Sequence, residues 1–245
     1  MTVWDRPAVQ RLAKVSDDLR ATGLTELLEQ VIADVWDVNV ARHEPSARGD
    51  TARSLGVTSA ENIRELLLRD LTRPDSPWLA RGVQASTPEG ALTIRTCGLD
   101  LRIKKAPSAR DRSPDWDAFD WHSASATHRA AAQQNAAAYM PTATASAQLA
   151  LPGMPSAIGR PTGLTQVCLV WSGDGRTGLS AAWLGFPTLG RSPWLAVTPL
   201  WWHEQTESAA AKHGAGTHAT SQPFSAQDVP ELSLVLKTTA RRVNG

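Results

Sequence analysis

The sequence predicts an α+β protein, a helical N-terminal layer with an antiparallel β-sheet. Three features carry that expectation. Apolar residues recur at three- and four-residue spacing as far as Leu71, which is the helical period. From Val83 the period falls to two, and it is two again between residues 165 and 200. Strand-like stretches come in runs instead of alternating with helices, which separates this class from the α/β folds. The division that follows is residues 1–140 as helices, a β-meander and one further helix, then 141–163 as a loop or linker. Residues 164–245 form a β-rich part of the same globular domain.

In chain order, Asp5 is placed to cap a first helix over 6–22, with Val9, Leu12 and Leu19 on its apolar side and Gly23 breaking it. Thr25 opens a second helix through about Ala41, carrying Leu28, Ile32, Val35 and Trp36 at helical spacing. After the polar loop 42–49, Asp50 caps a short helix over 51–55. Gly56 supplies a left-handed turn with Val57 packed under it, and Thr58 with Glu61 reads as a capping box. The helix that follows sets Ile63, Leu66, Leu67 and Leu71 on one face. Pro74 and Pro77 end the helical part.

Residues 83–87, 91–96 and 99–105 read as a three-stranded meander. On its third strand Asp100, Arg102 and Lys104 share a wet, charged face. Ser113-Pro114 suits a short helix start. The segment 125–139 has strong helix propensity and a thin apolar face. Further strands are expected at 165–172, 179–184, 194–200 and 232–236. The first of these is apolar on both faces, so it is read as central in its sheet. The polar, Gly- and Ala-rich stretch 203–221 reads as the weakest part of the fold.

Hydrophobic residues make up 42% of the chain and charged residues 20%, the balance of a globular protein. No apolar run reaches membrane-spanning length, and the N-terminus lacks a signal-peptide layout. Cys97 and Cys168 are too few for a disulfide framework or a thiolate zinc site. The expectation is a cytoplasmic protein without a membrane partner, and the arginine- and alanine-rich composition points to a bacterial source. GxSxG, P-loop, Rossmann and kinase signatures are absent, which sets aside the common hydrolase, NTPase and dehydrogenase classes. The net charge of +1 gives no global field. Residues 95–112 are nevertheless locally basic, with Arg95, Arg102, Lys104, Lys105, Arg110 and Arg112 against Asp100 and Asp111.

The run Ala52-Arg53-Ser54-Leu55-Gly56-Val57-Thr58 resembles the helix-turn-helix family, in which a small residue precedes the turn glycine by four and an aliphatic residue and Ser or Thr follow it. The family's apolar pin falls on Ile63, one residue late, with Asn62 at the usual place. The resemblance implies DNA contact through the second helix, with Asn62, Arg64 and Arg69 as candidates. The leading expectation is thus a nucleic-acid-associated protein of regulatory, defence or toxin–antitoxin type, binding through residues 50–71 and the basic segment 95–112, with no cofactor.

A second expectation is an enzyme. Glu89, Asp100 and Lys104 resemble the PD-(D/E)XK nucleases, with Arg102 where the family has lysine, and such a site would need a divalent metal. His43 beside Asp50 offers acid–base chemistry, so His43, Asp50, Asp100 and Lys104 are the catalytic candidates. Asp115, Asp117, Asp120 and His122 are read as helix-start and turn residues in preference to metal ligands. A third expectation is a protein-interaction module built on exposed Trp194, Trp201 and Trp202.

Overall fold

A computed structural model describes residues 4–107, 109–110, 112–142 and 160–204. The first helix, α1 (Arg6–Thr22), is capped by Asp5, which accepts the Ala8 N–H, and it stops at Gly23 in the left-handed region at φ 78°. Next come α2 (Leu24–Ala41), a single turn α3 (Pro45–Arg48) inside the expected polar loop, α4 (Ala52–Thr72) and the short α5 (Pro77–Ala80). The strands are β1 (Gln84–Ser86), β2 (Thr93–Thr96), β3 (Leu99–Lys105), a small β4 (Ala109–Arg110) with β5 (Ser113–Pro114), β6 (Gln166–Gly173), β7 (Ser180–Pro187) and β8 (Trp194–Trp202). Helix α6 (Ala126–Ala138) lies between β5 and β6. The α+β class holds.

One six-stranded sheet runs β1-β2-β3-β6-β7-β8. Every join is antiparallel except β3–β6, which is parallel, so the sheet is mixed where an antiparallel one was expected. The chain leaves the end of β3, returns through α6 and re-enters beside β3, the crossover that a parallel join requires. The first face of the sheet packs on α1, α2 and α4 through Leu12, Leu28, Ile32, Trp36, Ile63 and Leu67 against Leu101, Val167, Leu169 and Trp171. The other face carries a second cluster of Phe119, Trp121, Ala132, Cys168, Val170 and Trp194. Strand β6 is central, as its two apolar faces predict.

This second layer overturns the wet face expected on β3. Arg102 is only 8% exposed, because α6 presents Ala131, Ala132 and Asn135 to the sheet and small residues allow close approach. The Asn135 amide donates to the carbonyls of Gln166 and Pro187, which ties α6 across β6 and β7. Two glycines let large rings approach the sheet closely. A Cβ at Gly173 would sit 2.2 Å from the Trp36 ring, and one at Gly185 would sit 2.5 Å from the Trp194 ring.

The turn at Gly56 is not formed. Residues 52–72 are one continuous helix, and Gly56 is absent from the positive-φ residues. Leu55, Ser59, Ile63, Leu67 and Leu71 are buried at helical spacing across the glycine, so tertiary packing outweighs its cost of about 1 kcal/mol in a helix interior. Val57, expected beneath the turn, is 56% exposed. The cap is Thr51, whose side chain accepts the Ser54 N–H, while Asp50 accepts the Glu44 N–H instead. Ser113-Pro114 pairs as β5 instead of starting a helix; the helical turn begins after Asp115, which accepts the Asp117 N–H. The strand expected at 232–236 and the stretch 205–221 lie outside the described residues. Among the described residues no helix is long and apolar enough to cross a membrane.

Candidate nucleic-acid interface

The parallel register aligns one end of the sheet. Lys105, Trp171, Ala182 and Trp201 form one rung across β3, β6, β7 and β8, and Trp202 lies opposite Ala181 in the next. Side chains alternate along strands, so Trp171 and Trp201 enter the helical core while Lys104, Trp183 and Trp202 take the opposite face. There the aromatic rings meet in succession. Trp202 stands edge-to-face with Trp183 at 6.0 Å, and Trp183 with Trp116 at 5.5 Å. Trp116, Phe119 and Trp121 close on Trp194 beneath. Trp202 is 43% exposed, whereas Trp194 and Trp201 are 2% and 7% exposed, so the expected trio of surface tryptophans reduces to one.

Cations flank this strip. The Arg112 guanidinium lies over the Trp202 ring, 4.3 Å from its centre, and donates to the His203 carbonyl; the Ser172 hydroxyl donates to the Arg112 carbonyl. Lys104 Nζ is 5.8 Å from the Trp121 ring centre. His128 stacks on the same indole at 6.1 Å, and its Nδ1 shares a 2.8 Å hydrogen bond with Ser125. Burial, with Lys104 and Arg102 nearby, lowers the His128 pKa to about 4, so its imidazole is neutral near pH 7. The same two cations face Cys168, but burial prevails and pushes that thiol up to about 12, which leaves it an inert core residue.

The remaining basic candidates do not join this patch. Arg102 donates to Gln166 Oε1 at 2.5 Å, and Gln166 in turn donates to Asp100, whose other oxygen accepts from Arg95 at 2.9 Å. This polar network crosses β2, β3 and β6; Arg102 is buried in it, while Arg95 pairs with Asp100 from the exposed side. Lys105 points to the opposite face, between the Trp36 and Trp171 rings at 6.0 and 5.8 Å and with its stem against Gly56. Burial there lowers its pKa. The Arg110 side chain lies outside the described part of the chain. On α4, Arg64 is held by Glu61, Glu65 and the Gly90 carbonyl, Arg69 by Asp70, and Asn62 donates to Asn39. These α4 residues do not form a free basic face.

The catalytic candidates fall into two places. His43 Nδ1 is 3.9 Å from Asp50, in the α2–α4 loop region. Asp100 is committed to Arg95 and Gln166, and Lys104 Nζ stands 5.8 Å from the Trp121 ring centre. Among the described residues, no group of three or more His, Cys, Asp or Glu side chains converges as a metal site would require. Asp115 and Asp120 accept backbone N–H groups of their own turns.

One arrangement escaped sequence reasoning because its members lie far apart in the chain. His203 Nδ1 is 3.3 Å from Ser180 Oγ, and its Nε2 is 2.8 Å from Glu29 Oε1. The order serine–histidine–carboxylate is that of a hydrolytic relay, but Ser180 has no exposed surface. A substrate carbonyl cannot reach it, so the contact acts as a clasp between the end of β8 and α2. The Trp202–Arg112 pair was equally hidden: Arg112 was visible only as one of six basic residues. Compared with protein-family models, known proteins and solved structures, the chain gives no match.

Proposed function

We propose that this protein binds single-stranded nucleic acid on the aromatic strip at the ends of β3 and β8 and the start of β7. The observation that carries the reading is the exposed Trp202 ring with the Arg112 guanidinium over it, edge-to-face with Trp183, on the sheet face that also bears Lys104 two strands from Trp183. A base offers a flat π-face, and stacking on an aromatic platform contributes about 1–3 kcal/mol per base without reading sequence. Arg112 and Lys104 supply the phosphate contacts that such a platform needs. Groove reading by α4 has less support, since Arg64 and Arg69 are already paired and the turn that would set a recognition helix is missing.

The test is a comparison of short single-stranded DNA and RNA with the matching duplex, each titrated across a range of salt. Single strands should bind more tightly than duplex, and affinity should fall as salt rises. Lys104→Gln should flatten the plot of log affinity against log salt by about 0.7, one phosphate contact on a single strand. Preference for duplex, or affinity indifferent to salt, would overturn the reading.

A further inference from the structure

His203 follows β8 directly, and each of its polar groups has a partner. Its N–H donates to the Ser180 carbonyl at 3.2 Å, and its Nδ1 is 3.3 Å from Ser180 Oγ. Its Nε2 meets Glu29 Oε1 of α2 at 2.8 Å, and its carbonyl accepts from the Arg112 guanidinium. A carboxylate is acceptor-only, so Nε2 carries the proton of that bond. Side chains alternate along the strand, so His203 turns toward the helical side of the sheet while Trp202 keeps the aromatic side. Ser180 is fully buried at the start of β7, which makes it a fixed point for the ring.

These contacts converge on Arg112. Its backbone is held by Ser172 of β6, whose hydroxyl donates to the Arg112 carbonyl. Its φ of 67° is a left-handed conformation that a non-glycine residue keeps only where its surroundings hold it. The guanidinium lies at the far end of a long, rotatable stem. Two contacts fix it there: the Trp202 ring and the His203 carbonyl. An arginine already held where it will act avoids part of the ordering cost of binding.

We infer that His203 is a positioning residue of the aromatic strip. Held by Glu29 and Ser180, it seats the Arg112 guanidinium over Trp202 for contact with a nucleic-acid phosphate. The inference rests on the proposed binding of single strands, and it adds that α2 sets the geometry of the strip from the opposite face of the sheet. Its sign opposes that of plain electrostatics. Glu29 is an acid near a phosphate-binding site, so by charge alone its removal would tighten binding. As the anchor of His203, its removal weakens binding instead.

The test titrates a short oligothymidylate into the full chain carrying Glu29→Ala or Glu29→Gln, with Glu29→Ala also combined with Arg112→Gln or with Lys104→Gln. Glu29→Ala should weaken binding about threefold or more, as expected for coupled contacts. Glu29→Gln keeps an oxygen that can accept from Nε2 and should restore most of that loss. The loss from Glu29→Ala should vanish in the Arg112→Gln background and persist in full beside Lys104→Gln, whereas a general loosening of the fold would weaken every background alike. Wild-type or tighter binding by Glu29→Ala, or a loss undiminished without Arg112, would overturn the inference and leave the single-strand reading standing. A wild-type chain that binds no single strand would overturn both.

Discussion

His128 shows how a single residue can couple this fold to pH. It is packed on Trp121 and faces Lys104 and Arg102 from β3, so the folded protein resists its protonation, and its pKa falls from 6.5 to about 4. The unfolded chain takes the proton first. Between about pH 6.5 and pH 4 the unfolded state therefore binds more protons, and stability falls as pH falls through that window. The shift corresponds to about 3 kcal/mol when fully expressed. Denaturant unfolding of wild type at pH 7 and pH 5 should show this loss in part, and His128→Gln should reduce the difference between the two. Equal pH dependence in both proteins would show that the imidazole titrates as freely folded as unfolded.

Among the elements, α4 is where sequence and structure part. Local signals around Gly56 favour a stop: a glycine, an aliphatic residue after it, then Thr58 and Glu61 in capping-box spacing. The helix continues because Leu55 and Ser59 bury on the same side as Ile63, and because the bare glycine gives the Lys105 stem a place to lie. That lysine comes from a strand about fifty residues later, so no local reading could find it. The same applies to α6. Its thin apolar face was legible, but the layer it covers is set by the parallel β3–β6 join, a long-range choice. By contrast, α1 and its Asp5 cap, the central character of β6 and the run 99–105 follow from short-range periodicity and were readable directly. Gly56→Ala tests the α4 account. A methyl would lie 3.0 Å from the flexible Lys105 Cε, while helix propensity gains about 1 kcal/mol. Unfolding free energy should be unchanged or higher; a loss of more than about 1 kcal/mol would mean that the glycine holds a turn conformation.

At the scale of the whole molecule, a six-stranded mixed sheet with α1, α2 and α4 on one face and α6 with an aromatic layer on the other leaves Arg112, Trp183 and Trp202 together at one end, on the face that also bears Lys104. The composition offered ten tryptophans and a basic stretch, but which of them reach the surface depends on strand alternation and register. Of the expected basic patch, Arg102 and Lys105 are spent inside the fold on Gln166 and the Trp36–Trp171 pair, and Arg95 pairs with Asp100. What remains on the surface is small, and its use rests on Trp202. The decisive measurement is the affinity of Trp202→Ala, and of Trp202→Phe, for a short single strand, with the melting temperature of each recorded alongside. Alanine should lose about ten- to hundredfold in affinity and phenylalanine less, with melting temperatures near that of wild type. Wild-type affinity in the alanine variant would contradict a platform built on Trp202.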